Sequence, residues 1–458
     1  MEAKAKKVNK ELYRRIAVVA LPIILQNLLD AAVNSADVLM LNFVGQTAIS
    51  ATSLASQYAS IYFMFLYGIG TGVSMLSAQY WGKGDSKTIE KVEGLGLRFS
   101  MSIGIIFAVC CLTIPELMMK VYTNDEELIR LGASYLRIVA PAMVLWSISA
   151  AYTSVLRCIG KVSTSTVIEA IALLSNVVLN AVLIFGFFGL PKLGVVGVAL
   201  ATTMSRTIQL ICCMVVSARN AEVKLRLKPI FEKHPALTKD FMSMALPAIG
   251  NDVSWGIGFS MYSVILGHLG NDAVAANSIV SVVRNLGCVL CYGIGSAAGI
   301  LVGQILGEGK IEEAKKASHT LFRMAILAGV TGGVMVLALT PFVMSHASLT
   351  ETALDYLLFM LRINIYYIMG TAVNTILIAG IFRAGGDSKF GFLCDTIDMW
   401  VYAVPLGMIA AFVFDLPVKV VYFLLCTDEF VKWPWVLKHF YSYKWAKNIT
   451  REDIDSES

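Results

Sequence analysis

Residues 67–84 read YGIGTGVSMLSAQYWGKG, and residues 292–309 read YGIGSAAGILVGQILGEG. Tyr67-Gly68-Ile69-Gly70 matches Tyr292-Gly293-Ile294-Gly295, Gln79 matches Gln304, and Gly82-x-Gly84 matches Gly307-x-Gly309, all at one offset of 225 residues. The same offset pairs Ala20-Leu21-Pro22 with Ala245-Leu246-Pro247, Gly45 with Gly270 and Arg137 with Arg362. One inserted residue later, Arg157-x-x-Gly160 meets Arg383-x-x-Gly386. Shared hydrophobicity does not hold a register over so many glycines and polar residues. The chain therefore reads as a duplication, with an N-terminal lobe over 1–220, a connecting loop at 221–238 and a C-terminal lobe over 239–458.

Composition says what solvent the two copies fold in. Of 458 residues, 57% are hydrophobic and 15% charged, against about 25% charged in ordinary soluble domains. That excludes a purely soluble protein. Apolar runs recur at 14–42, 55–79, 96–118, 132–156, 164–188, 193–217, 240–266, 282–306, 320–345, 353–381, 391–413 and 416–434. Each is long enough, at ~1.5 Å per helical residue, to cross a hydrocarbon layer of ~30 Å, and a helix satisfies its own backbone there. The expected fold is thus all-α, with twelve transmembrane helices in two pseudo-symmetric six-helix bundles. The basic start of the chain precedes an apolar run that ends in no small-residue cleavage site, so it reads as an uncleaved first span.

Most Lys and Arg fall on alternate loops, as in the runs Lys4–Arg15, Lys83–Arg98, Arg219–Lys239 and Lys310–Arg323, and in the tail from Lys432 onward. Arg284 and Arg362 are assigned to the opposite side, and Arg206 alone to the interior of a span. This places both termini in the cytoplasm. Basic loops beside anionic lipid account for the net charge of +5 without a nucleic-acid partner. Six spans per copy is an even number, so both lobes enter the membrane in one orientation and enclose a cleft that rocking would open to either side in turn. Gly68 and Gly72 share a helix face, which favours close packing of helices over chemistry.

Polar groups inside spans are costly and mark functional candidates. Asp37 lies late in the first span, where a carboxylate can trade a proton or Na⁺ with the state of its lobe. Asn176 and Asn180, four apart, share a face of span 5. Their carboxamide oxygens and the Thr202 hydroxyl would complete a hard-cation site with Asp37; plain interhelical hydrogen bonding is the alternative reading. Gln26, Asn34, Trp255, Asp252, Asp395 and Asp398 are candidates to line a substrate cleft. Glu169 and Arg206, in adjacent spans, are expected to form a structural ion pair. The nine cysteines and five histidines match no metal or nucleophile pattern, so no enzyme and no cofactor are expected.

These motifs resemble the multidrug and toxic compound extrusion (MATE) transporter family over essentially the whole chain. The resemblance rests on Leu21-Pro22 followed by Asp37, Gly70-x-Gly72 leading to Gln79-Tyr80-x-Gly82-x-Gly84-Asp85, and Arg157-x-x-Gly160. It continues through Asn176-Val177-Val178-Leu179-Asn180 with Gly186, Gly194-x-x-Gly197 with Ala201-Thr202, Ala275-Ala276, Gln304-x-x-Gly307 and Arg383-Ala384-Gly385-Gly386-Asp387. It implies a monomeric antiporter of the plasma membrane, of the bacterial or archaeal inner-membrane type, that exchanges Na⁺ or H⁺ for amphipathic, often cationic, organic compounds. It further implies that Asp37, Asn176, Asn180 and Thr202 form the coupling site. Some members carry a carboxylate where this chain has Asn180. A lipid-linked oligosaccharide flippase would call for several basic residues facing a cavity, and a non-transport membrane scaffold is the remaining alternative.

Overall fold

The computed structural model describes residues 2–42, 44–189, 191–220, 222–226, 228–347 and 349–452, apart from the side chains of 2–10, 34, 35, 37–39, 41, 42 and 188. Among the described residues every regular element is a helix. The long ones are α1 (Glu2–Asn42), α2 (Gln46–Lys83), α3 (Ser86–Thr113), α4 (Glu126–Cys158), α5 (Val162–Phe185), α6 (Gly194–Arg219), α7 (Pro235–His268), α8 (Asn271–Gly307), α9 (Ile311–His346) and α10 (Glu351–Asn374). α10 runs on as a π-helix over Thr375–Phe382. The next helix, α11, starts at Ser388–Ile397, passes through a π-helical stretch at Asp398–Ala403 and ends with Val404–Phe412.

Ten of these helices among the described residues are long and apolar enough to cross a membrane. The two remaining expected spans differ for a physical reason. The first, 240–266, lies on the 34-residue α7, whose Asp240 and Asp252 interrupt its apolar surface. The second, 416–434, is three short helices, Val418–Leu425, Asp428–Val431 and Trp433–Ser442, because Asp428, Glu429 and Lys432 break the apolar run with buried charges. Elsewhere large apolar side chains face outward: Ile106, Leu327 and Val401 are 60%, 64% and 71% exposed, as lipid-facing positions should be.

The duplication is written into the backbone. Gly45 and Gly270 have φ of 126° and 121°, Gly84 and Gly309 have 81° and 77°, and Gly160 and Gly386 have 81° and 78°. Only glycine enters this region without a Cβ clash, so the paired glycines mark equivalent turns. Gly84 closes α2 and Asp85 opens α3, its carboxylate accepting from Thr88 N at 3.1 Å. In the second copy Gly309 is followed by Lys310 at the start of α9. Asp387, which precedes α11, meets His439 Nε2 at 2.9 Å. Burial opposes ionisation of Asp387, but the hydrogen bond and charge of His439 outweigh it and hold the carboxyl below its ordinary range.

The chain packs into two compact units. One comprises Met1–Ile24 with Leu246–Thr450, the other Leu25–Ala245 with Arg451–Ser458. Two of the boundaries, at Ile24/Leu25 and Ala245/Leu246, lie inside helices beside the paired Pro22 and Pro247, where a missing N–H weakens the helix ladder. The expected connecting loop is docked on the second unit. Arg98 Nε donates to Ile230 O at 2.6 Å, and Arg226 pairs with Glu90 at 3.5 Å.

Small residues set the helix crossings within the first unit. A Cβ at Gly332 of α9 would stand 2.5 Å from Gly287 O of α8 and 2.8 Å from Ile368 Cγ2. Gly332→Val is therefore expected to cost about 1–3 kcal/mol through overpacking, read as a lowered thermal unfolding temperature in detergent; an unchanged temperature would mean the crossing is not tight.

Candidate functional site

In the unit that contains Leu25–Ala245, α5 places Asn176 and Asn180 on one buried face, 9% and 1% exposed. Asn180 Nδ2 donates to Asn176 Oδ1 at 3.2 Å, which orients the pair as one carboxamide array. On α6, Thr202 Oγ1 donates to Val198 O at 3.0 Å within its own helix, leaving its lone pairs as acceptors. Gln26 Oε1 is buried with no hydrogen-bond partner among the described residues. Asp37 and Asn34 lie on α1, and their side chains fall outside the described residues.

Glu169 and Arg206 do not form a direct ion pair among the described residues. Arg206 Nη1 donates to Gln209 Oε1 at 2.9 Å, and its guanidinium lies over the Trp146 ring, 4.1 Å from the centroid. A local amide and an aromatic face hold the cation, while Glu169 and also Asp30 act on it at longer range. Asp30, a second carboxylate of α1, is a residue that the sequence pattern does not single out.

The other unit carries a denser polar network. Arg383 Nη2 donates to Asp252 Oδ1 at 3.0 Å and to Asn251 Oδ1 at 2.7 Å; Asn251 Nδ2 donates in turn to Asp395 Oδ2 at 2.8 Å. Lys432 Nζ reaches Asp395 Oδ1 and Glu429 Oε2 at 3.1 Å each, and Asp398 Oδ2 at 3.8 Å. Tyr262 Oη donates to Asp428 Oδ2 at 2.8 Å, and Asn374 Nδ2 donates to the Glu429 carbonyl at 2.7 Å. The two π-helical stretches position this network, since Asn374 precedes the first and Asp398 opens the second. Trp255 stands outside it, 4.5 Å from Phe259 between ring centroids.

The structure thus separates the expected cleft residues. Asp252, Asp395 and Asp398 are internal partners of Arg383 and Lys432, two cations that the loop pattern places in water but that are 5% and 4% exposed. The spacing Asp428-Glu429-x-x-Lys432 is the signal the sequence offers, since residues three and four apart meet on a helix. Among the described residues no group of three or more His, Cys, Asp or Glu is arranged to hold a metal ion.

Comparison with known proteins follows the same geometry. The sequence profile of MatE matches residues 22–182 and 247–409, two blocks that open at the paired Pro22 and Pro247. The uncharacterized transporter YisQ of Bacillus subtilis is 22% identical over 440 residues, covering 93% of each chain. A probable multidrug resistance protein NorM of Thermotoga maritima is 23% identical over 457 residues, 97% of this chain and 96% of the relative. Among solved structures, MATE in the straight conformation superposes with a TM-score of 0.85 at 18% identity, covering 94% of this chain and 97% of the other. An outward-facing multidrug resistance MATE family transporter of the MOP superfamily gives 0.83 at 19% identity with the same coverage. With a family profile spanning both copies of the repeat, the chain belongs to the MatE family of multidrug and toxic compound extrusion transporters.

Proposed function

We propose that this protein is a twelve-span antiporter, with both termini in the cytoplasm, that exports amphipathic organic compounds by alternating access between two lobes, driven by Na⁺ or H⁺. Members of its family are secondary transporters, not enzymes, and the long apolar helices and bacterial relatives make it a multi-pass protein of the inner-membrane type. The observation that carries the proposal is the match of the family profile to both copies of the repeat. Several relatives are described as probable multidrug resistance proteins, which supports drug-like substrates.

The coupling role goes to Asp37 with Asn176, Asn180 and Thr202. Support comes from the buried carboxamide pair on α5 and from the engagement of the acids of the unit containing Leu246–Thr450 by Arg383 and Lys432. Carboxamide and hydroxyl oxygens suit a hard cation, and an inward gradient adds about 2.3 kcal/mol per charge per 100 mV. Two more expected spans, α7 and the segment from Val418 onward, complete the twelve.

Proteoliposomes loaded with ethidium and given an inward Na⁺ or pH gradient test this. Gradient-dependent ethidium movement is the expected result; its absence under both gradients would overturn the cation-coupled reading.

A further inference from the structure

We propose that a cavity of about 50 Å³ in the unit containing Leu246–Thr450 binds the acidic group of an amphipathic organic solute, with Arg284 as its counter-ion. This rests on the transport reading above and adds a substrate class to it: compounds that carry a carboxylate beside an aromatic body. The sequence pattern assigns Arg284 to the side opposite the cytoplasm, at the start of the run 282–306. It lies within α8, about 20 Å from the first residue of that helix at ~1.5 Å per residue.

Arg284 is partly buried on the cavity wall with Phe259, Tyr262, Asn277, Tyr367 and Tyr422. Among the described residues it makes no ion pair and no hydrogen bond; its guanidinium sits over the Phe259 ring, 4.6 Å from the centroid. A permanently charged group so placed, in a chain that spans lipid, calls for an anion. No lining residue carries a carboxylate. The buried acid Asp428 is already engaged by two lining residues, Tyr262 Oη at 2.8 Å and Tyr367 Oη at 3.4 Å.

The donor supply fits an acid group. Guanidinium contributes a planar fork of N–H groups matched to a carboxylate. Asn277 adds an amide, and the Tyr422 hydroxyl, which accepts from Asn364 Nδ2 at 2.7 Å, is also on the wall. The volume admits a few waters or one carboxylate head. From the wall residues Tyr262 and Phe259 the aromatic row continues along α7 to Trp255, with centroids 5.3 Å and 4.5 Å apart, the rings an aromatic body would pack against.

The test is isothermal titration of the purified full-length protein in detergent with 1-naphthaleneacetate and with its neutral carboxamide, 1-naphthaleneacetamide. The acetate is expected to bind about tenfold or more tightly than the amide, as a charge-assisted hydrogen bond allows. Arg284→Gln, eluting as monodisperse as the wild type with an unchanged thermal unfolding temperature, should bring the two affinities together, and Arg284→Lys should keep part of the preference. Equal affinities in the wild type, no binding of either probe, or a preference that survives in Arg284→Gln would overturn the proposal. So would displacement of the acetate by chloride at equal concentration, which would mark an inorganic anion site. Acetate binding in a protein that moves no ethidium would keep this site and sink the transport reading; ethidium transport without the acetate preference would do the reverse.

Discussion

Lys432→Met is expected to cost about 3–5 kcal/mol, the range for removing one partner of a buried ion pair and leaving its counter-charges uncompensated. Three carboxylates would lose their cation together: Asp395 and Glu429 at 3.1 Å, and Asp398 at 3.8 Å. The Lys432 side chain is 5% exposed, so water cannot stand in for it. A loss on that scale is a large part of a typical folding free energy, and purification should return little monodisperse protein. Lys432→Met combined with Asp395→Asn and Glu429→Gln should recover part of the loss, because it removes charges the lysine had balanced. Wild-type thermal unfolding of the single variant would show that Lys432 does not hold this network.

Asp37→Asn should abolish the gradient-driven component of ethidium movement while leaving passive leak unchanged. Asparagine keeps the size of the side chain and removes its charge, so a cation held by the carboxylate would lose its strongest attraction. The carboxamides of Asn176 and Asn180 cannot replace that charge. Proteoliposome flux under imposed Na⁺ and pH gradients reads the effect directly. Gradient-driven flux at the wild-type rate would remove Asp37 from the coupling site.

The repeat is legible in the sequence because glycine and proline leave marks that hydrophobicity does not. The paired Gly45 and Gly270, or Gly160 and Gly386, announce the same turns that the backbone angles show. The buried charges are harder to read. Arg383 and Lys432 sit at the edges of apolar runs, where a basic residue normally reaches water, and only the packed structure shows Asp252 beside one and Asp395 beside the other. Arg284 misleads for the same reason, because α8 begins at Asn271, well before its apolar run.

Glu169 and Arg206 illustrate a different limit. Adjacent spans bring opposite charges near each other, but Gln209, three residues on from Arg206, offers its side-chain oxygen at 2.9 Å, and Trp146 covers the guanidinium. Local helix geometry and an aromatic face outcompete the longer reach to the carboxylate.

Alternating access is most directly tested by cysteine accessibility. In a background with the nine native cysteines replaced, Asn34→Cys and Trp255→Cys would be labelled with a membrane-impermeant maleimide from each side of oriented vesicles, with and without a cation gradient and ethidium. The account predicts that labelling of both sites shifts from one face to the other when ions or substrate are supplied. Labelling that stays on one face under every condition would contradict it.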